Sequence, residues 1–456
     1  MDKRPSVLVL GPVPLVREAV WALVDADHTI RAQAPYRADE DILDAVRAFQ
    51  HQGALESGFA EAFAEPLPGE VPLTEPGAYV SARHPRVRYH VRIHPVTAPP
   101  LEANTVALPA LCGTQPLPFL TALGVVVLLE ASRPPASAQP RLSWSRQDGQ
   151  ALITAPGASM EQIVAALVDC VHTMFAQDQV IWGVNRFPPP REAGQTGGDP
   201  LRVPMAHANA LTAQVRAHSG PAGVRWLERL VNLSTPDSSG RVALSPFLAP
   251  RGRQSTRTFF EFPLNLVAED PNRFLSEALT GWRRVIGCTG ENLDYSAPVD
   301  AVEAGDGQAY SRGVPGPTWL ATQALALTEV AQRPDAAGPA TLWHSLPGLS
   351  ATGSFLDAAM VWPLWDTPLT CEEITALVQD PGYGVRVVHD VGRGPTVGVN
   401  LDPGPVRGTW ARATQRGVFT AGAALRHVRA KSLGPLVPHL PWVDRGAAPH
   451  QSREAV

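Results

Sequence analysis

The stretch TVALPALCGTQPLPFLTALGVVVLLE, residues 105–130, decides the fold of the central part of this chain. TVALPAL (105–111) predicts a strand, and PLPFLTALGVVVLLE (116–130) predicts a helix. Proline is accepted in the first turn of a helix, and the apolar residues Phe119, Leu120 and Leu123 keep a helical spacing. Because the helix is apolar on all sides, we expect it to lie inside a core rather than on a surface.

Short strands and helices are predicted on both sides of this stretch. The residue patterns predict strands at 6–11, 141–144, 151–155 and 258–267, and helices at 15–25, 39–63, 159–175, 206–233, 271–284, 317–332 and 370–379. Together with 46 prolines and 38 glycines, these elements predict a mixed α+β fold with many loops. We expect an N-terminal α/β domain (1–100) that ends in a basic strand, a central α+β domain (101–340) with a basic loop (249–257), and a C-terminal α+β region (341–456) with an arginine-rich end.

The formal net charge of −5 conceals an uneven distribution of charge. Residues 1–80 hold thirteen Asp/Glu and six Lys/Arg. Three later zones are basic: residues 83–94 have no acid, residues 202–257 have eight arginines and two acids, and residues 407–431 have six cations and no acid. An anionic polymer responds to such local patches rather than to the net charge. The arginine excess is also what a GC-rich genome produces without selection for function.

In the first basic zone, cationic and apolar residues alternate along RVRYHVRIHP (86–95). A strand would place Arg86, Arg88, His90 and Arg92 on one face, with Arg83 just before them. Such a row suits phosphate groups, and these five residues are candidates for nucleic-acid binding. The alternative is an edge strand that carries charge to prevent edge-to-edge pairing.

Several functional classes find little support in the residues. No segment has the roughly 18 apolar residues that a membrane span needs, and no secretory signal is evident, so we expect a cytoplasmic protein without membrane contact. The four cysteines form no CxxC pair, which argues against a zinc site and against a disulfide framework. There is no G-x-S-x-G, HExxH or Walker lysine, and the turn Gly11–Pro14 lacks a phosphate-binding pattern. We therefore expect no cofactor, no metal and no catalytic residues.

Two pairs of residues could nevertheless suggest chemistry. His389-Asp390 is a pair seen in metal-dependent phosphohydrolases, but no second metal-binding cluster accompanies it. Glu372 and Glu373 follow Thr370 at the predicted start of a helix, where carboxylates favour the helix dipole, so capping is the better interpretation. Trp362 and Trp365 lie in an apolar block, AMVWPLW, and we expect them in the core rather than stacked on bases.

A family resemblance runs through residues 105–438. It rests on CGTQPLPFLTALGVVVLLEASRP (112–134) with RLSW and ALITAP after it, then GVPGPTWLATQALALTEV (313–330), MVWPLWDTPLTCEEITALV (360–378) and ATQRGVFTAGAALRHVRAKSLGPLVP (413–438). In order and spacing these blocks resemble the large subunit of a type I CRISPR effector complex (Cascade), of the G subtype formerly labelled U.

The resemblance implies a non-catalytic, nucleic-acid-binding subunit of an antiviral ribonucleoprotein. Such a subunit contacts the 5′ handle of the crRNA and the double-stranded target DNA. It helps to recognise the target-adjacent motif and recruits a separate helicase-nuclease. Its other expected partners are the backbone and handle-binding subunits of the complex.

Within this picture, the loop APRGRQSTR (249–257) is the candidate for reading the duplex beside the target. Arginine and glutamine can contact base edges, which singles out Arg251, Arg253, Gln254 and Arg257. The alternative is a basic loop that simply faces solvent. At the C-terminal end, Arg412, Arg416, Arg426 and Arg429 are candidates for phosphate or subunit contacts, and their spacing of three would put Arg426 and Arg429 on one helical face.

Two hypotheses from other classes remain open. The strand SVLVLG (6–11) with a helix after it would fit an unrelated cytoplasmic enzyme with an N-terminal Rossmann-like domain. The arginine patches would also fit a scaffold that binds an acidic partner protein.

Overall fold

The strands of the N-terminal region and most of the later chain are described by a computed structural model. The described residues are 6–10, 29–33, 59–65, 77–80, 88–94, 104–134, 138–189, 199–249, 254–299, 307–332, 338–346, 355–380, 382–390, 394–401, 413–429, 432–439 and 441–444. The chain forms two units, one of Met1–Glu102 with Ser145–Gln150, the other of Ala103–Trp144 with Ala151–Val456. The predicted mixed α+β class is confirmed.

The N-terminal unit contains one mixed sheet. Its described strands are β1 (Ser6–Leu10), β2 (Thr29–Gln33), β3 (Phe59–Glu65), β4 (Gly77–Val80) and β5 (Arg88–His94). They stand in the order β2-β1-β3-β5-β4, with β1 parallel to both β2 and β3, and β5 antiparallel to β3 and β4. The strand predictions at 6–11 and within 86–95 are confirmed over β1 and β5. The helix predicted over 39–63 is wrong at its end, where β3 begins at Phe59, and the helix predicted at 15–25 lies outside the described residues.

The second unit contains all the helices that the structure describes. They are α1 (Pro116–Ala131), α2 (Met160–Ala176), α3 (Ala208–Leu230), α4 (Thr256–Ala268), α5 (Pro271–Thr280), α6 (Pro315–Gln323) and α7 (Cys371–Gln379). Short 3₁₀ turns lie at Met205–His207, Gly290–Asn292, Ala324–Leu327 and Ala413–Arg416. Helix α3 is kinked at Gly220, which adopts φ 64° before Pro221.

The strands of the second unit form several small sheets. In chain order they are β6 (Thr105–Cys112), β7 (Arg141–Trp144), β8 (Gln150–Thr154), β9 (Val231–Pro236), β10 (Val242–Leu244), β11 (Val285–Ile286), β12 (Pro298–Val299), β13 (Tyr310–Gly313), β14 (Trp343–Ser345), β15 (Phe355–Trp365), β16 (Gly384–Asp390), β17 (Gly394–Asn400), β18 (Val418–Arg429), β19 (Ser432–His439) and β20 (Trp442–Asp444). The sheet orders are β6-β8-β7, β10-β9, β11-β13-β12, β14-β15-β18-β19 and β16-β17-β20.

Helix α1 lies inside the core, as its sequence predicts. Thirteen of its residues are buried, and it packs against α6 at Gly124, where a Cβ atom would come within 1.8 Å of the Leu320 carbonyl oxygen. A glycine is required there because the two helices approach each other more closely than any side chain would permit.

Four aromatic rings complete this part of the core. Phe119 stacks on Trp144 at 5.7 Å and on Trp362 at 5.4 Å, and Trp365 meets Phe119 edge-on. The indole nitrogen of Trp362 donates to the Gly113 carbonyl at 2.6 Å, so its polar atom is satisfied inside the core. The core assignment of Trp362 and Trp365 is confirmed, since both are fully buried.

The long antiparallel pair β15 and β18 is the other main part of this core. Gly422 of β18 lies under the Trp362 ring, and a Cβ atom there would approach the indole to 2.2 Å. Two helices have side-chain caps at their N-termini, and the cap predicted at Thr370 is confirmed. Ser159 accepts a hydrogen bond from the Gln162 amide, and Thr370 and Glu373 form a capping box at α7.

Two further predictions of secondary structure are wrong. Residues 258–267 are part of helix α4 and not a strand. The apolar positions Phe259, Phe260, Pro263, Leu264 and Val267 are buried along one side of that helix. Residues 426 and 429 belong to strand β18, where a spacing of three does not place two residues on the same face. Among the described helices, none is long and apolar enough to cross a membrane.

Candidate nucleic-acid interface

The basic loop predicted at 249–257 is shorter in the structure, because Ser255 caps α4 and Thr256 and Arg257 belong to that helix. Its two described ends, Ala249 and Gln254, are fixed by hydrogen bonds to the segment 289–292. The side-chain amide of Gln254 donates to Glu291 Oε2 at 3.0 Å, and the side-chain amide of Asn292 donates to the Ala249 carbonyl at 2.8 Å. Neighbouring side chains therefore hold both ends of the loop. Arg251 and Arg253 lie outside the described residues.

The segment that holds the loop has an unusual backbone. Gly290, Glu291 and Asn292 have φ values of 63°, 47° and 59°, so three consecutive residues are left-handed. Glycine adopts this conformation freely and asparagine tolerates it, but glutamate does so at a cost of about 1 kcal/mol or more. We call residues 290–292 the left-handed turn. Backbone strain of this kind persists only where the surrounding structure holds it. Here the side chains of Glu291 and Asn292 bind the two ends of the loop.

Arg426 supports the same region from strand β18. Its guanidinium is fully buried and donates to four backbone carbonyls. These bonds are Nε and Nη2 to Pro246 at 3.3 and 3.0 Å, Nη2 to Phe247 at 2.9 Å, and Nη1 to Asn292 at 2.6 Å and to Gly434 at 3.1 Å. Five hydrogen bonds match the five N–H donors of a guanidinium. Arg426 thus joins the segment before the loop to the left-handed turn.

This arrangement overturns the prediction that Arg426 contacts phosphate or another subunit. The side chain has no exposed surface, and its donors are already used inside the protein. Burial lowers the pKa of the Arg426 guanidinium to about 9, which still leaves it charged at neutral pH. Among the described carboxylates, none forms an ion pair with it, and the dipoles of its four acceptor carbonyls stabilise its charge.

Glu291 is the second buried ionisable group of this cluster. It is 3% exposed, and Thr289 Oγ1 donates to its Oε1 at 2.6 Å. Burial raises the pKa of the Glu291 carboxyl to about 7, against the opposing effect of the Thr289 hydrogen bond. Glu291 also lines a small cavity of about 10 Å³ with Gln254 and Phe259, about the space for one water molecule. Burial therefore makes this carboxyl group harder to ionise than an ordinary glutamate.

Three further predicted site residues are described with their side chains. Like Arg426, each of them contacts other residues of this chain. Gln254 holds Glu291, as above. The side chain of Arg257 is 11% exposed and pairs with Glu261 at 3.2 Å, and its role in reading a duplex stays a prediction. The guanidinium of Arg416 donates to the Asp380 carbonyl and borders an open groove of about 370 Å³ with Glu373 and Leu377.

The remaining predicted residues are described in part or not at all. Arg88, His90 and Arg92 lie on β5, and Arg429 on β18, as backbone positions. Because β5 pairs with strands on both sides, the alternative of a charged edge strand is wrong. The register sets Glu65 opposite Arg88 and Glu61 opposite Arg92, so acidic residues accompany the basic row within the sheet. Arg83, Arg86 and Arg412 lie outside the described residues.

The second basic zone does leave cations at the surface. Arg216 and Arg225 on α3, and Arg241 beside β10, are exposed, and no described acid forms an ion pair with them. Asp237, one of the two acids in this zone, is bound by Arg202 at 2.5 Å and by Ser239. Hydrogen bonds from Ser239 and Arg202 lower the pKa of its carboxyl against the effect of burial. The zone therefore presents a surplus of positive charge.

In the part of the chain that the structure describes, no cluster of side chains is suited to hold a metal or a cofactor. No group of three His, Cys, Asp or Glu side chains there could hold a metal ion. Cys170, Cys288 and Cys371 are buried free thiols, and burial raises the pKa of Cys170 to about 12. Such thiols remain protonated at neutral pH and are poor nucleophiles.

Sequence reasoning missed Glu291, Asn292 and the buried role of Arg426. One signal was present for the turn, because Gly290 and Asn292 are residue types that tolerate left-handed backbone. Arg426 carried a signal as well, since it lies within the apolar, strand-like run VFTAGAALRHV. Comparisons of the chain with protein-family models, with curated proteins and with solved structures find no match.

Proposed function

We propose that this chain is a non-catalytic, nucleic-acid-binding large subunit of a type I CRISPR surveillance complex. The family resemblance of residues 105–438 supports this assignment, as does the surplus of exposed arginine in the second basic zone. In this role the chain contacts the crRNA 5′ handle and target DNA, helps to recognise the target-adjacent motif and recruits the helicase-nuclease.

The observation that carries the proposal is the exposure of Arg216, Arg225 and Arg241 without acidic partners among the described residues. Guanidinium groups bind phosphate oxygens in pairs and release condensed counterions, which makes affinity depend on salt. Base pairing with a guide would supply the sequence specificity, so a phosphate-binding surface is sufficient for this subunit.

The direct test is binding of double-stranded DNA and of single-stranded RNA to the full chain at several salt concentrations. Replacing Arg216, Arg225 and Arg241 by glutamate should weaken binding and make the slope of log affinity against log salt shallower by about three on duplex DNA. The control replaces Arg141, Arg273 and Arg283, which are exposed outside the basic zones, and changes the net charge equally. Equal losses in both variants would show that net charge, rather than this surface, governs binding.

A second test addresses the complex itself. A tagged copy recovered from its native host should carry RNA of uniform length with a common repeat-derived 5′ end, together with backbone subunits. Recovery of a chain free of RNA and of such subunits would overturn the assignment.

The parallel strands β2-β1-β3 favour a second candidate, an enzyme with a nucleotide site in the N-terminal unit. A central β1 flanked by parallel strands is typical of doubly wound nucleotide-binding folds. A panel of nucleotides tested by thermal shift would separate the two proposals, since only the enzyme hypothesis expects a saturable increase in the melting temperature.

A further inference from the structure

The exposed Arg241 lies in the turn between strands β9 and β10. Among the described strands, these two pair only with each other. A two-stranded hairpin is at best marginally stable in water without further support. The direction in which this hairpin presents Arg241 is therefore set by contacts with other segments of the chain.

The side chain of Gln332 closes the outer edge of β9. Its Nε2 donates to the Val231 carbonyl at 3.3 Å, and its Oε1 accepts from the Leu233 amide at 3.0 Å. A parallel neighbouring strand would bind the same two groups through the amide and carbonyl of a single residue. The carboxamide of Gln332 thus takes the place of a third strand.

Asn232 strengthens this contact from within β9. Its Nδ2 donates to the Ala331 carbonyl at 2.6 Å, and its Oδ1 accepts from the amides of Ser234 and Thr235, each at 2.8 Å. The Ser234 hydroxyl also donates to Gln332 Oε1 at 3.3 Å. The first part of β9 is therefore joined to residues 331 and 332 by side chains of both segments.

The opposite side of the hairpin is held by backbone contacts. The Val242 amide donates to the Val203 carbonyl at 2.9 Å, and the Met205 amide donates to the Gly240 carbonyl at 3.1 Å. Contacts on both sides thus fix the backbone next to Arg241, while the Arg241 side chain stays exposed.

We propose that Gln332 is a positioning residue for Arg241 in nucleic-acid binding. By completing the edge of β9, it holds the hairpin so that the Arg241 guanidinium is presented to phosphate groups. This inference rests on the proposed function, because it concerns the same exposed arginine surface. A hairpin that is already held binds more tightly, since less of the chain has to be ordered when the nucleic acid binds.

Hydrogen exchange of the full chain tests the hold without a ligand. The reporter is the Val242 amide, which donates to Val203 and not to Gln332. Gln332→Ala leaves two backbone groups of β9 without their partner, so the protection of Val242 should fall by about tenfold.

Gln179→Ala is the matched control for exchange. Gln179 is also a buried carboxamide that accepts from a backbone amide, that of Gly183, at 3.0 Å. Its loss should leave the protection of Val242 at the wild-type level. An unchanged Val242 in Gln332→Ala, or an equal fall in both variants, overturns the proposal.

A double-mutant cycle on duplex DNA tests whether the hold acts through Arg241. Gln332→Ala changes no charge, yet it should weaken binding by about threefold to tenfold, the cost of ordering this segment on binding. In the Arg241→Ala background the same change should have no further effect, because the residue that Gln332 positions is gone. Combined with Arg216→Ala, on α3, it should give additive losses.

The outcomes separate this inference from the proposed function. Full DNA affinity in Gln332→Ala, which is expected if Gln332 only protects the edge of β9 from pairing, overturns the positioning role. An equal further loss in the Arg241→Ala background overturns it as well. A wild type that binds no DNA would refute the proposed function, while the exchange of Val242 would still decide whether Gln332 holds the hairpin.

Discussion

Helix α1 and its aromatic neighbours are held in the core by packing, whereas the left-handed turn and Arg426 are held by hydrogen bonds. In the first region, Phe119 and its tryptophan neighbours fill space with apolar surface, and Gly124 permits close helix contact. In the second, a buried guanidinium, a buried carboxyl and strained backbone bind one another through polar atoms. Side chains in this protein are therefore buried either by apolar packing or by hydrogen bonding. Hydrophobic patterning of the sequence reveals only the first.

The largest expected effect comes from placing methionine in both regions. Arg426→Met leaves four buried carbonyls without their donor, and we expect a loss of about 4 kcal/mol in the free energy of unfolding. Leu120→Met, at an equally buried position in α1, should cost less than about 1.5 kcal/mol because volume is conserved. Urea unfolding of the two variants measures both values. Equal costs would remove the distinction between the regions.

The next largest effect is the pH dependence of the free energy of unfolding. Its sign should be opposite for His344 and Glu291. Partial burial lowers the pKa of His344, on β14, to about 4. Since the unfolded chain takes up this proton at an ordinary histidine pKa, stability should be lost as the pH falls from about 6.5 towards 4, by about 2 kcal/mol. Glu291, whose pKa is raised, instead contributes stability at low pH that is lost between 4.5 and 7. Chemical denaturation of wild type and His344→Gln at pH 7 and pH 4.5 checks the first, and an unchanged acid loss in the variant would contradict it.

The smallest effect separates the two regions by their helix caps. Ser255→Ala and Ser159→Ala each remove one cap, at α4 and at α2, and each should cost about 1 kcal/mol. Only Ser255→Ala should also weaken the protection of the loop ends, because Gln254 lies beside it. Hydrogen exchange at Phe259, whose amide donates to the Ser255 carbonyl and not to the removed hydroxyl, distinguishes the variants, and similar exchange in both would show that the cap and the loop are independent.

The sequence predicted the packed region well for a physical reason. The apolar run of α1 and its prolines are local signals, and the capping patterns at Ser159 and Thr370 are local as well. Helix α4 was mistaken for a strand because aromatic residues in TFFEFPLNLV favour strands. The helical spacing of Phe260, Leu264 and Val267 and the capping box at Ser255 carried the correct information.

The polar region could not be predicted in the same way. Arg426 was assigned to the surface because arginine is almost never fully buried. Its partners are carbonyls from two distant segments, at 246–247 and 292, and from the neighbouring strand β19. Glu291 gave no signal of its own, since its burial depends on contacts with Gln254 and Phe259, which lie more than thirty residues before it in the chain. Prediction of the candidate site therefore requires knowledge of long-range contacts, whereas most of the fold follows from local patterns.

The guanidinium of Arg426 also has a consequence for the order of events during protein synthesis. Its acceptors at Pro246, Phe247 and Asn292 leave the ribosome more than a hundred residues before Arg426 does. Until strand β18 emerges, these carbonyls have no partner from it, and the base of the loop cannot reach its final geometry. On the growing chain, the aromatic core around α1 can be completed once Trp362 and Trp365 of β15 have emerged, while completion of the loop base must wait for β18.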